Sequence, residues 1–170
     1  MGTLNYDTFP RSGTHTLGVI LDLAFPDYEK FWGQHNPKTL SKPNAITVIR
    51  PLKDTIVSVC SSKKIPNLQS ILESYCYFYE TIEQYDVYFC LLSSLVLNPN
   101  QIMFDYAKKY NLDGLKPVDI EEYKTNMLKR FPDNYPKANY ERQEIIELYE
   151  KCDLSKADTI WQKISNKCAI

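Results

Sequence analysis

Histidine is scarce in this sequence, which contains only His15 and His35 among its 170 residues. A metal site built from several histidines is therefore excluded, and we expect no metal cofactor. The five cysteines are odd in number, and none of them is spaced as C-x-x-C. We interpret them as reduced thiols of a cytosolic protein rather than as a disulfide framework or a zinc site.

The sequence also lacks an excess of charge of either sign. It has 20 Lys and Arg residues against 21 Asp and Glu residues, which gives a formal net charge of −1. A general nucleic-acid binder needs a surplus of basic residues to neutralise phosphates, so no nucleic-acid partner is expected. This balance still allows a local basic pocket for a small anion.

Long apolar runs are missing as well. No segment is long enough to span a bilayer, and the first twelve residues lack the apolar region of a signal peptide. We therefore expect a cytoplasmic protein with no membrane partner. A length of 170 residues, an apolar share of 44% and the absence of a Gly/Ser-rich linker favour a single domain over residues 1–170.

Strands and helices are predicted to alternate in the first half of the chain, and the second half is predicted to be mainly helical. The predicted strands cover residues 5–9, 45–49 and 87–92. The predicted helices cover residues 15–25, 51–62, 67–85, 98–112, 119–131, 139–152 and 154–165, and residues 25–44 are predicted to be mostly irregular. The run Ala45–Ile49 is apolar and β-branched, as is typical of a strand buried on both faces. The pattern predicts a three-layer α/β/α fold with a small parallel sheet of three or four strands.

The segment FPRSGTHTL (residues 9–17) lies between a predicted strand and a predicted helix. The first N–H groups of a helix lack internal partners, and the helix dipole adds positive potential there, so an anion is favoured at this point. Arg11 adds a charged donor, and Gly13 allows close approach of the backbone. Further hydroxyl donors come from Ser12, Thr14 and Thr16. The alternative is an ordinary turn in which a serine or threonine caps the helix.

This loop is not a Walker A loop, because the first glycine and the lysine of G-x-x-x-x-G-K-[ST] are both missing. ATP or GTP hydrolysis is therefore not expected.

A second polar segment, IRPLKDTIVS, follows the next predicted strand. Arg50 lies just beyond that strand, and Ser58 lies eight residues later on the following helix. Ligands of α/β sheets bind beyond the carboxyl ends of the strands. If the two strands are neighbours, both segments line one crevice, which suits a nucleotide that carries two separate phosphates.

These two segments, in this order, resemble the sulfotransferases that use 3′-phosphoadenosine 5′-phosphosulfate (PAPS). PRSGTHT is similar to their 5′-phosphosulfate loop, P-[KR]-[ST]-G-T-[TS], and IRPLKDTIVS is similar to their 3′-phosphate motif. The segment YFCLLSSLVLNPNQIMFDYAKKYNL is similar to a later strand and helix of the family. The resemblance covers residues 5–112 and implies a P-loop-containing, sulfotransferase-like nucleotide-binding fold.

The resemblance also implies the activity and its residues. Sulfuryl transfer from PAPS to a hydroxyl or amine of a small molecule or glycan would leave 3′-phosphoadenosine 5′-phosphate (PAP) as product, without a metal. Arg11 would contact the 5′-phosphate and the bridging oxygen, and Arg50 with Ser58 would bind the 3′-phosphate. The rest of the cofactor cradle would comprise Ser12, Gly13, Thr14, His15 and Thr16. His35 would be the catalytic base, with Arg11 as its catalytic partner.

Three alternatives stay open at this stage. Thr16 stands where many cytosolic members carry a tryptophan that stacks on adenine, which favours a protein that binds PAPS or PAP without transfer. The second alternative is another phosphoryl transferase of the P-loop class. The third is an interaction module that keeps only the fold. Because the chain is short, we also expect that a second copy of it could complete the acceptor site. Phe31 and Trp32 are candidates to line that site.

Overall fold

The computed structural model describes residues 2–63, 67–131 and 141–168. It contains one sheet of four parallel strands in the order β2-β1-β3-β4. The strands are β1 (Thr3–Tyr6), β2 (Glu29–Trp32), β3 (Ala45–Ile49) and β4 (Val87–Leu91). The helices are α1 (Thr14–Ala24), α2 (Leu52–Lys63), α3 (Leu68–Glu83), α4 (Leu92–Leu97), α5 (Pro99–Tyr110), α6 (Ile120–Arg130), α7 (Glu141–Glu150) and α8 (Ser155–Ser165), with a 3-10 helix at Pro37–Ser41.

The central strand β3 is buried on both faces, and its successive side chains point to opposite sides of the sheet. Ala45 and Ile49 of β3 pack on one face with buried residues of α2, α3, α7 and α8. Ile46 and Val48 pack on the other face with residues of α1 and α5. The predicted three-layer α/β/α arrangement with a small parallel sheet is thereby confirmed.

The region between α1 and β3 differs from the prediction of irregular chain over residues 25–44. It contains the strand β2 and the 3-10 helix. The strand escaped prediction because it lies at the edge of the sheet, where its side chains are mostly exposed and carry no buried apolar pattern.

The first strand is also displaced from its predicted position. It ends at Tyr6 rather than Phe9, because the chain leaves the sheet at Asp7, whose carboxylate accepts the Thr8 N–H at 2.8 Å. Asp7 and Thr8 are both fully buried although they are polar. The segment predicted to be the end of a strand is therefore the start of a loop.

The tyrosine-rich helix α3 packs into the core. Tyr75 and Tyr79 are completely or almost completely buried, and Phe9 packs against Tyr75 with ring centroids 5.3 Å apart. Tyr77, on the opposite side of the helix, is exposed. Through Phe9, this helix supports the loop that follows β1.

The order of the strands places a topological switch point between β1 and β3. The chain moves from β1 to β2 in one direction along the sheet, while β3 and β4 extend in the other. Crevices at such points, beyond the carboxyl ends of the strands, are where open α/β sheets bind ligands. In the described parts of the chain, no helix is both long and apolar enough to cross a membrane.

Candidate functional site

The loop after β1 (residues 7–13) is a tight backbone turn that ends at the start of α1. The Ser12 N–H donates to the Phe9 carbonyl at 3.1 Å, and the Phe9 ring anchors the loop on α3. Arg11 and Gly13 have positive φ angles of 64° and 110°. Glycine is favoured at the second of these because it has no Cβ to oppose this backbone conformation.

The amino terminus of α1 has no side-chain cap. Gly13 occupies the capping position, and no side chain forms a capping hydrogen bond there. Ser12 is buried, and the Thr14 hydroxyl pairs with the hydroxyl of Thr8. The serine or threonine cap expected in the alternative of an ordinary turn is therefore wrong. The helix dipole and the first N–H groups of α1 make this terminus suited to an anion.

The structure brings the two sequence motifs together across neighbouring strands. Arg11 Nε lies 3.4 Å from Ser58 Oγ, although 47 residues separate them in sequence. Arg50 donates from Nη1 to the Arg11 carbonyl at 3.4 Å, and its Nε lies 4.0 Å from Asp54 Oδ2. Two guanidinium groups, a serine hydroxyl and a helix amino terminus thus converge at the switch point.

His35 lies at the same end of the sheet and contacts the loop directly. Its Nδ1 is 2.8 Å from the Thr8 carbonyl oxygen, and its backbone N–H donates to Asp7 Oδ1 at 3.0 Å. A carbonyl oxygen only accepts hydrogen bonds, so Nδ1 carries the proton of the neutral ring. The lone pair of the neutral imidazole is then on Nε2.

His35 is held in a strained turn. The Asn36 N–H donates to the Gly33 carbonyl at 3.1 Å, and the two residues between them, Gln34 and His35, have φ angles of 54° and 68°. Two successive positive φ angles are the pattern of a type I′ turn, which normally uses Asn and Gly. Such strain in residues other than glycine is typical of functional sites.

Replacement of Gln34 by glycine is expected to stabilise the protein by about 1 kcal/mol. Glycine has no Cβ and therefore avoids the energetic penalty of a left-handed backbone conformation. Gln34 is exposed. Urea unfolding would measure the change. Gln34→Ala is the matched control, since it removes the side chain but keeps the strain, and it should leave the unfolding free energy unchanged. A less stable Gln34→Gly protein would show that the turn is not strained.

His15 is placed at the amino end of α1, with its ring stacked on Phe131. The ring centroids are 3.8 Å apart and the planes differ by 3°. Partial burial, followed by the nearby charges of Arg11 and His35, lowers the pKa of His15. Its assignment to the cofactor stays a prediction, as does that of the half-buried Thr16.

The end of α6 is fastened to α1 by a second contact. Arg130 forms an ion pair with Asp22. The guanidinium of Arg130 is therefore paired with a carboxylate of α1.

The two aromatic residues of β2 do not act together. Adjacent residues of a strand point to opposite faces, so Phe31 and Trp32 cannot line one pocket. Trp32 lies edge-on to His35, with ring centroids 5.7 Å apart, whereas Phe31 lies beneath the Lys42 ammonium at 4.2 Å. Only Trp32 is placed beside the candidate base.

Sequence reasoning missed Asp7, which is the buried carboxylate beneath His35. The available signal was an acidic residue two positions before the segment FPRSGTHTL, because a carboxylate is an unusual neighbour for an anion site. Within residues 2–63, 67–131 and 141–168, no group of three or more His, Cys, Asp or Glu residues is arranged to hold a metal ion.

No protein-family model matches the sequence, and no curated protein is detectably similar to it. Among solved structures, the chain is similar to mouse sulfotransferase SULT7A1 in complex with PAP, with a TM-score of 0.50 and 12% sequence identity. The alignment covers 98% of this chain and 83% of the mouse chain. The fold is sulfotransferase-like. At this level of identity the likeness establishes the sulfotransferase-like fold alone.

Proposed function

We propose that the protein is a PAPS-dependent sulfotransferase that acts on a hydroxyl or amine of a small molecule or glycan. The observation that carries this proposal is the contact between Arg11 and Ser58 at 3.4 Å, because it joins the loop after β1 to the motif after β3 in one crevice. A site for a single phosphate would need only the loop after β1. Two cationic side chains at a switch point, Arg11 and Arg50, fit a nucleotide with phosphates on both sides of its ribose.

The donor set of the crevice fits this cofactor. Arg50 and Ser58 would hold the 3′-phosphate, because a guanidinium donates two parallel hydrogen bonds to a phosphate. Arg11 and the amino terminus of α1 would hold the 5′-phosphosulfate. The mouse structural neighbour is itself a complex with PAP, which supports the same class of nucleotide here.

His35 would act as the general base. When bound, PAPS supplies the sulfuryl group that is transferred. The Thr8 carbonyl holds the proton on Nδ1, so Nε2 can take the proton of the acceptor as the acceptor oxygen or nitrogen attacks sulfur. Arg11 would stabilise the negative charge that develops on the oxygen bridging phosphorus and sulfur. No covalent link to the protein is required.

Calorimetric titration with PAP tests the proposal. PAP is expected to bind about tenfold or more tightly than ADP, because ADP lacks the 3′-phosphate that Arg50 and Ser58 would bind. EDTA should not weaken binding, whereas a kinase would need magnesium. Absence of PAP binding, or equal binding of ADP, would overturn the proposal. PAP binding without sulfuryl transfer to any of a panel of phenols, amines and glycans would identify a binding protein instead.

A further inference from the structure

Asp7 is a completely buried carboxylate directly beneath the turn that carries His35. Its Oδ1 accepts the N–H of Thr8 at 2.8 Å and the N–H of His35 at 3.0 Å. Within the described parts of the chain, its Oδ2 is buried without a hydrogen-bond partner. The carboxylate packs so closely on Gly33 that a Cβ there would lie 2.5 Å from Oδ2.

Asp7 holds the backbone of His35, and the Thr8 carbonyl holds its ring. The bond from the His35 N–H to Oδ1 fixes the backbone of a residue whose φ angle is 68°. In that position Nδ1 is 2.8 Å from the Thr8 carbonyl oxygen and 3.8 Å from Asp7 Oδ1. The ring is therefore held at its Nδ1 side, next to a negative charge, with Nε2 on the opposite side.

Burial of the Asp7 carboxylate lowers the stability of the folded protein. Burial raises the pKa of Asp7, and this effect is only partly opposed by the backbone N–H groups of Thr8, His35 and Asn36 and by the charge of the His35 ring. Asp7 also contributes, after burial and Asp22, to the raised pKa of the neighbouring Tyr6. A buried charge with one oxygen lacking a partner destabilises a protein, and such local conflicts are expected at functional sites.

We propose that Asp7 is the positioning residue of His35: it fixes the ring with Nε2 directed at the acceptor and stabilises the imidazolium that forms on proton uptake. The inference rests on the proposed function. The proton leaves the acceptor O–H or N–H and binds Nε2, while Asp7 keeps its charge and takes up no proton. A carboxylate that orients a histidine base and balances its charge serves the same purpose in hydrolases with a catalytic triad.

The state of the ring can be observed without any ligand. Because the chain has only two histidines, nitrogen-15 spectra of the imidazoles contain two sets of signals, and His35→Asn assigns them. At alkaline pH the wild-type protein is expected to show His35 with its proton on Nδ1. Asp7→Ala should give a mixture of both tautomers, because the backbone hydrogen bond is lost. An unchanged tautomer in Asp7→Ala would overturn the proposal.

The role of the charge is separated from that of the hydrogen bond by Asp7→Asn. Its amide oxygen can still accept the two N–H groups, so the tautomer should be retained. The rate of sulfuryl transfer from PAPS to unsubstituted phenol, a probe acceptor whose hydroxyl is still protonated at neutral pH, should fall about tenfold or more, because the imidazolium loses its counter-charge. The Kd of PAP should change less than about twofold, because Asp7 contacts the backbone of Thr8 and His35 and is not among the residues proposed to bind the phosphates. Equal rates for the Asn variant and wild type would overturn the electrostatic role.

The surface variant Asp86→Asn is the matched control, since it removes a carboxylate that is paired with Lys109. It should change neither the spectra nor the rate. The two proposals fail in different ways. Loss of PAP binding in the wild-type protein contradicts the proposed function, whereas the tautomer of Asp7→Ala decides the role of Asp7 in either case.

Discussion

Arg50→Ala is expected to weaken the binding of PAP about tenfold to a hundredfold, because each charge-assisted, bidentate contact to a phosphate contributes roughly 1.5–3 kcal/mol. The affinity for ADP should change less than about threefold, since ADP has no 3′-phosphate for Arg50 to bind. Calorimetric titration of both nucleotides measures the difference. The side chain already lies at the crevice, with Nη1 at 3.4 Å from the Arg11 carbonyl.

Arg11→Ala should not discriminate between the two nucleotides. The 5′-phosphate is present in both nucleotides, so removal of Arg11 should weaken PAP and ADP alike. Arg50→Lys should recover only part of the PAP affinity, because an ammonium cannot donate two parallel hydrogen bonds. Arg130→Ala is the control, since that guanidinium is bound by Asp22. If Arg50→Ala weakened PAP and ADP equally, the assignment of Arg50 to the 3′-phosphate would be wrong.

The parts of this crevice that depend on a local sequence pattern could be predicted from the sequence. The strands β3 and β4 were predictable because they are continuous apolar runs, and α1 and α3 because their apolar residues follow the helical period. The loop and the motif after β3 were recognisable as strand-to-helix junctions with basic and hydroxyl side chains. Their convergence followed from a parallel sheet, once β1 and β3 were taken as neighbours.

The parts that escaped prediction depend on contacts between distant residues or on an unusual backbone. The residue types Gln34 and His35 do not predict two positive φ angles, since a turn of this kind normally uses Asn and Gly. The bond from the His35 N–H to Asp7 spans 28 positions of the sequence. The stacking of His15 on Phe131 joins a helix start to a helix end much later in the chain. Such features follow from tertiary packing, which sequence periodicity does not encode.

Gly13→Ala is expected to abolish measurable PAP binding and to destabilise the protein by about 1–3 kcal/mol, the usual cost of a strained backbone position. The φ angle of Gly13 is 110°, and a Cβ there would lie 2.6 Å from Leu92 Cδ1. Rotation of the half-buried Leu92 side chain can relieve this overlap, but a residue with a Cβ rarely adopts a φ angle of 110°, so we expect the loop to move in the alanine variant. Movement of the loop would displace the N–H groups at the start of α1 from the position proposed for the 5′-phosphate. Titration with PAP and urea unfolding measure the two effects.

Two further variants separate the backbone strain from the steric overlap. Gly114→Ala is the matched control, because Gly114 also has a positive φ angle, of 69°, but a Cβ there would meet nothing closer than 3.9 Å. It should lower stability by about 1–2 kcal/mol and leave PAP binding intact. Leu92→Ala in the Gly13→Ala background removes the overlap and should recover part of the affinity. If Gly13→Ala bound PAP like the wild-type protein, the backbone of this loop would not be the phosphate site, and Arg11 would have to hold the 5′-phosphate without it.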